Sequence, residues 1–478
     1  MNHSPFHYMT ISELSQNIRD GKLSPVELTA HCLERIESLD ESLNAFRMVC
    51  RERAMGEARA MEAALRAGQD LGPLQGIPYA AKDLFDVRGI PTSAGTRLLE
   101  NNIATEDAVA IRKLAQTGMI FLGKTNTVQL AYSGIGINHD HGTPKNPWHN
   151  TPHVPGGSSS GSAVAVAAGM VPMALGSDTG GSVRIPAALC GITGLKTTVG
   201  RIGRTGVYPL SGSMDSVGPM TRSVEDAALV YNVLQGIDFK DDSTWNVSVH
   251  DVLNGLNRGV RGLRLAFAER VFWDDVDSEI EKAVRECGNV FQNLGAYVDS
   301  IDLPEAEAAW QLNRRGMIIV AEAYTNNQQL LDEHYEKLDP IVAARMIKGK
   351  DALASDYLLN RMEWKRLRAE ALETLKDIDA LLVPTTRIPA LQVDEIDADM
   401  DTYTARNLDY LRNTSIGNIL NLCGLSIPCG FTNKGSPVGL MIYGKPFQEE
   451  TVLRVGHAFQ QVTQWHRSTP DLSWAQQE

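Results

Sequence analysis

The 478-residue chain is 43% apolar and 22% charged, ordinary globular usage that argues against disorder and leaves material for a substantial core. Its length could hold two or three average domains, or one large α/β unit. A formal net charge of -13 argues against gripping nucleic acid or an anionic membrane through a general positive field, so neither partner is expected.

In chain order, Met1–Thr10 has no basic region followed by an apolar run, so no secretory signal is expected there. The next sixty residues read as helices. Thr10 and Glu13 have capping-box spacing, and Ser24, Pro25 and Glu27 add proline at the first helical position. Leu28, Cys32 and Ile36 then fall four apart on one face. The longest nearly uncharged stretch, Val154 to Ser177, has an apolar part (Ala163 to Leu175) shorter than the roughly 20 residues of a membrane helix. It reads as a buried helix, and the cytoplasm is the expected location. Cys32, Cys50, Cys190, Cys287, Cys423 and Cys429 form no CxxC pair and read as reduced core thiols. The sequons at Asn246 and Asn413 then carry no weight.

From Gly76 short apolar runs alternate with helical patterns, as at Asp107 to Gln116 followed by Met119 to Leu122. Such alternation predicts an α/β architecture with strands buried by helices. Arg201 to Gly218 is turn-rich, like many active-site loops. Charged helical patterns dominate from Asp238 to Leu425, and strand-like runs return at Ala380 to Val383 and Val438 to Ile442. No repeat or linker stands out, so one domain over 1–478 is expected: a helical region over 1–70, a core over 76–226 and a helical portion over 238–425.

Several motifs are misleading. Gly118 to Thr125 fits the phosphate-loop pattern, but Met119 to Leu122 look like a buried strand and a helix precedes them, the reverse of what a phosphate nest needs. Gly157 to Gly161 matches the nucleophile elbow of α/β-hydrolase esterases around Ser159, with His457 downstream as a base; two prolines in the approach argue against the strand an elbow requires, which leaves this as a runner-up. Asp178-Thr179-Gly180 lacks the second such triplet of an aspartic protease. His139-Asp140-His141 lacks further ligands at metal-site spacing and reads as loop surface, so no metal is expected.

The chemistry gathers between Pro155 and Gly194. Two serine-bearing glycine loops bracket an alanine- and valine-rich helix, better explained as two walls of a site than as a linker. A serine hydroxyl needs a neighbour to take its proton, and a lysine can do this if desolvation lowers its pKa. Lys82, at the end of the apolar run from Gly76, is the candidate.

Gly156 to Ser162, Gly176 to Ser182 and Pro78 to Asp83 together resemble the amidase signature family, which includes fatty acid amide hydrolase, malonamidase and the A subunit of glutamyl-tRNA amidotransferase. The likeness extends through Lys124-Thr125-Asn126, Asn146-Pro147-Trp148 and Asp215 to Thr221, with an echo at Pro428-Cys429-Gly430. It implies an α/β/α sandwich with a large mixed central sheet, Ser182 as nucleophile, Ser158 as bridging serine after a cis Gly157–Ser158 bond, and Lys82 as base. The N–H groups of Thr179, Gly180, Gly181 and Ser182 would form the oxyanion hole. Ser160 departs from the family's commoner glycine. No cofactor is implied; the substrate would be a small amide, carbamate or aryl amide, and a homodimer is left open.

By the same resemblance Gln129 to His139, Tyr324 and Arg412 to Leu420 would line the acyl pocket. Arg184 could read a substrate carboxylate or brace its loop through Asp178, and bracing is favoured because loops in unusual geometry need anchors. The amidotransferase member, which would release ammonia from glutamine within a complex, uses an acid near Thr414 to bind the glutamine ammonium. No acid occurs between Leu411 and Gly430, which favours a self-sufficient amidase.

Overall fold

The computed structural model describes residues 6–476; the first five residues of the Met1–Thr10 reading lie outside them. Both predicted capping boxes form, with Thr10 starting helix Ile11–Arg19 and Ser24 starting helix Pro25–Leu43. In each, the cap hydroxyl accepts the third N–H and the glutamate side chain accepts the cap N–H, so two otherwise unpaired donors are satisfied.

Eleven strands form one mixed sheet among the described residues. They are β1 (Phe46–Val49), β2 (Pro78–Lys82), β3 (Ile120–Thr125), β4 (Met173–Asp178), β5 (Thr193–Lys196), β6 (Ser216–Thr221), β7 (Arg264–Ala268), β8 (Tyr297–Ile301), β9 (Ala380–Pro384), β10 (Cys423–Phe431) and β11 (Pro437–Gly444). Their order is β1-β3-β2-β4-β6-β5-β10-β11-β9-β7-β8. β2 runs parallel to β3 and β4, and β7 parallel to β8 and β9; the other pairs are antiparallel.

Period-two alternation places this sheet between two cores. Leu265, Phe267, Ala380, Leu382, Leu440 and Ile442 join one apolar cluster. Their neighbours Ala266, Ala268, Leu381, Val383, Met441 and Tyr443 join another. Strands buried on both faces read as continuous apolar runs, which is why β9 and β11 are visible in the sequence. Each fully buried large side chain contributes about 1.5–3 kcal/mol.

The stretch Ala163 to Leu175 is part helix and part strand: helix Ser160–Ala167 ends, Gly169 turns at φ +67°, and β4 begins at Met173. Every residue of that helix is buried. Gly161 is needed there, because a Cβ would lie 2.2 Å from the Ala45 carbonyl oxygen. No described helix is long and apolar enough to cross a membrane.

Candidate active site

β2 and β4 are parallel neighbours, with Ala81 beside Leu175. Both therefore end at the same edge of the sheet, where open α/β sheets place their sites. Lys82 is the last residue of β2 and is fully buried. Its Nζ lies 2.7 Å from Ser158 Oγ and 2.9 Å from Ser177 Oγ. Burial drives its pKa down to about 7 against the opposing pull of Asp178 and Asp215, so near neutrality a large share of Lys82 is an uncharged amine.

Ser158 sits just before helix Ser160–Ala167, and the Gly157–Ser158 peptide is cis. Its carbonyl accepts from Thr127 Oγ1 at 2.8 Å and from the Val128 N–H at 3.3 Å. The Gly157 N–H donates to the Gly134 carbonyl at 2.8 Å. One residue on, the Ser159 N–H donates to the Ser182 carbonyl at 3.1 Å, tying the two serine loops together.

The second loop leaves β4 at Asp178. None of the N–H groups of Thr179, Gly180, Gly181 or Ser182 has an acceptor among the described residues. Gly181 is required at its position: its φ is +140°, and a Cβ would fall 2.2 Å from Thr414 Oγ1. Asp178 and Arg184 hold the loop ends. Arg184 is fully buried and spends all five N–H donors: Nε and Nη2 on the Asp178 carboxylate at 2.9 Å, Nη1 on the Thr414 carbonyl and the Tyr443 hydroxyl, and Nη2 also on Asn418 Oδ1. Bracing is thus its role here, and no donor remains for a substrate. Burial alone would raise the Asp178 pKa, but Arg184 outweighs it and holds the carboxylate at about 2. Asp215 Oδ1 accepts from Thr179 Oγ1 at 2.5 Å, fixing the start of the loop.

Ser182 opens onto a cavity of about 270 Å³. Ala131 to Gly134 form one wall, Leu210 and Met214 another, and Thr404, Asn407, Leu408, Leu411 and Ser415 a third. Asn313 to Gly316, Ile319, Val320, Arg345 and Lys348 complete it. Among the described residues no aspartate or glutamate lines it.

The family profile described as Amidase matches residues 27–453. The chain belongs to the amidase signature family, and it is an amidohydrolase. Among curated relatives it is similar to the A subunit of the glutamyl-tRNA(Gln) amidotransferase of Thioalkalivibrio sulfidiphilus (strain HL-EbGR7), 38% identical over 97% of this chain and 99% of the relative. Among solved structures it resembles native peptide amidase from Stenotrophomonas maltophilia, 28% identical with a TM-score of 0.83, covering 96% of this chain and 98% of that one. It also resembles a chain from a vestigial protein complex that reveals the origins of an s-triazine catabolic enzyme, 30% identical with a TM-score of 0.88 over 95% and 98% of the two chains. Further curated relatives, 35–37% identical, carry the same amidotransferase name, as does a solved structure from Thermotoga maritima, 30% identical with a TM-score of 0.81 over 98% of each chain; the two structures above do not.

The structure agrees with the rejection of the elbow and phosphate-loop motifs and corrects part of the expected pocket lining. Ser159 is fully buried and its Oγ donates to the Ser177 carbonyl, while His457 meets Asn257, so no esterase elbow forms. Tyr324 does not line the cavity itself but packs in the apolar cluster that backs its wall residues Ala131, Tyr132 and Leu210. Thr414 donates its hydroxyl to the Gly180 carbonyl; the same helix turns Leu411 and Ser415 to the cavity instead. Of the Arg412 to Leu420 stretch only Ser415 lines it. The His139 segment is a clasp as well as surface, with His139 bridging Asp339 at 2.5 Å and Asp397 at 2.9 Å. Lys124, in the phosphate-loop look-alike, is buried against Asp83 at 2.6 Å.

Three residues of the site escape sequence reading. Ser177 lies within the Gly176 to Ser182 motif, and its place before the last residue of β4, beside the end of β2, is the available signal. Asn407 and Arg345 lie on helices with no motif around them, and only tertiary packing brings them to the cavity.

Proposed function

We propose that this amidase hydrolyses the carbon–nitrogen bond of a small amide through an acyl-enzyme on Ser182. The observation that carries the reading is Lys82: fully buried, 2.7 Å from Ser158 Oγ, with its pKa lowered to about 7. The neutral amine takes the Ser158 hydroxyl proton while Ser158 takes that of Ser182, and Ser182 Oγ bonds to the amide carbon. The oxyanion is received by the N–H groups of Thr179 to Ser182, a preorganised donor set of the kind worth about 3–4 kcal/mol per donor. Lys82 then returns its proton through Ser158 to the nitrogen, the C–N bond breaks, and water attacks the acyl-enzyme by the same relay. These steps call on no cofactor. The six cysteines are free thiols, which suits a cytoplasmic setting.

A second reading, glutamine-driven ammonia release within an amidotransferase complex, is favoured by the curated relatives and by one of the solved structures. The cavity weighs against it, since a buried ammonium needs an acidic partner and none lines the wall. Ser182→Ala should lower turnover of the amide at least about a thousandfold and abolish labelling by a fluorophosphonate, with the far-UV spectrum unchanged. An active Ser182→Ala variant refutes the mechanism. Hydroxylamine trapping of the acyl group from aliphatic amides, aryl amides, carbamates and free glutamine separates the two readings.

A further inference from the structure

Asn407 is buried to 1% exposure, yet only half of its amide is engaged. Its Oδ1 accepts from the Gly134 N–H at 2.8 Å and the Ser133 hydroxyl at 3.1 Å. A backbone N–H can only donate, so the orientation of this amide is fixed with oxygen toward Gly134. The Tyr403 hydroxyl donates to Ser133 Oγ at 2.8 Å and locks the arrangement. The NH2 group has no acceptor among the described residues, and Asn407 lines the cavity. Gly134 links the residue to the serine loop, because its carbonyl receives the Gly157 N–H.

The charged residues that line the cavity have one sign, although Asp339 and Asp397 also act on Tyr403 behind Ser133. Arg345 lies on the Tyr132 ring, 4.6 Å from its centroid, and donates to the Tyr132 carbonyl, which holds the guanidinium at the cavity wall. Half-buried Arg345 and exposed Arg314 and Lys348 border the cavity without a carboxylate partner among the described residues, whereas Arg315 is taken by Glu363. In a chain of net charge -13, a largely apolar cavity bordered by cations, with no acid among its described lining residues, is a local inversion. It favours acceptors and repels an ammonium.

We infer that the substrate is a carboxylate-bearing amide without an ammonium group, and that Asn407 is the residue that reads this difference, through an NH2 where a zwitterion would need an oxygen. This rests on the amidase reading proposed above and names its substrate class.

The test is a matched pair: glutaramate, the monoamide of glutaric acid, and glutamine, which adds only the α-ammonium. Both are assayed as substrates and as competitors for fluorophosphonate labelling of Ser182, in the full chain and in Asn407→Asp. Aspartate preserves the acceptor for Gly134 and Ser133 while replacing the NH2 by an anionic oxygen. The wild type should prefer glutaramate by at least about tenfold, the scale of one charged hydrogen bond. Asn407→Asp should shrink or invert that ratio, and Asn407→Leu should lower glutaramate preference without gaining glutamine. Equal or better use of glutamine by the wild type, an unchanged ratio in Asn407→Asp, or failure of glutaramate both to react and to protect Ser182 would each overturn the inference. Failure of Ser182 to label at all would instead overturn the amidase mechanism.

Discussion

Replacing Lys82 by methionine isolates the cost of the buried amine from the rest of the fold. The fall in pKa from 10.5 to about 7 corresponds to about 5 kcal/mol at 1.36 kcal/mol per pH unit. Below pH 7 both folded and unfolded chains carry the proton, and the folded state bears the full penalty. Between 7 and 10.5 only the unfolded chain binds it, so unfolding takes up a proton and stability rises with pH. Above 10.5 both are neutral and the penalty is gone. Methionine removes this dependence. It also gives up the contacts to Ser158 and Ser177, at about 1–3 kcal/mol for each hydroxyl left unpaired, but that loss does not vary across the window. Relative to wild type, Lys82→Met should therefore be most stable at pH 6 and should lose several kcal/mol of that advantage by pH 10. Urea unfolding of both proteins at pH 6, 8 and 10 measures the gap, and a gap that stays constant refutes the buried neutral amine. The wild-type kcat/KM should show an acid limb near pH 7, since the neutral form is the proposed base; a limb near 10 would contradict it equally.

Two further substitutions probe the loops. Gly181→Ala places a Cβ 2.2 Å from Thr414 Oγ1 at a φ of +140°, so kcat should fall at least about a hundredfold through displaced N–H donors, with KM changed far less in a steady-state assay. Ser160, where the family more often has glycine, keeps a buried hydroxyl with no partner; Ser160→Ala should raise stability by about 1 kcal/mol in urea unfolding, and a loss of stability would show that the hydroxyl is satisfied.

The parts of this protein legible in its sequence are those whose signals are local. Two capping boxes, the apolar runs of β9 and β11 and the glycine-serine loops around Ser158 and Ser182 each depend on neighbours a few residues away. Lys82 is legible because an apolar run places it at a strand end, and the register of β2 on β4 then buries it. The cavity is less legible, since helix Met400–Ile419 presents a face rather than a segment. Along it Thr404, Asn407, Leu408, Leu411 and Ser415 line the cavity, whereas Thr414, at the edge of the same face and seven residues after Asn407, spends its hydroxyl on the Gly180 carbonyl. At the edge of a face, periodicity alone does not separate a wall residue from a structural one.

The buried charges explain one another when taken together. Asp178, at the end of β4, is a full negative charge in the interior, and its field favours a protonated Lys82. Left alone it would work against an uncharged amine. Arg184 grips both oxygens of that carboxylate at 2.9 Å, and Asn418 donates a further hydrogen bond to it. A positive charge so close cancels much of the Asp178 field at a distance while leaving Lys82's own desolvation untouched. At Lys82 burial outweighs what remains of the Asp178 field together with that of Asp215, while the Asp178–Arg184 pair fixes the glycine loop and leaves Arg184 no donor for substrate.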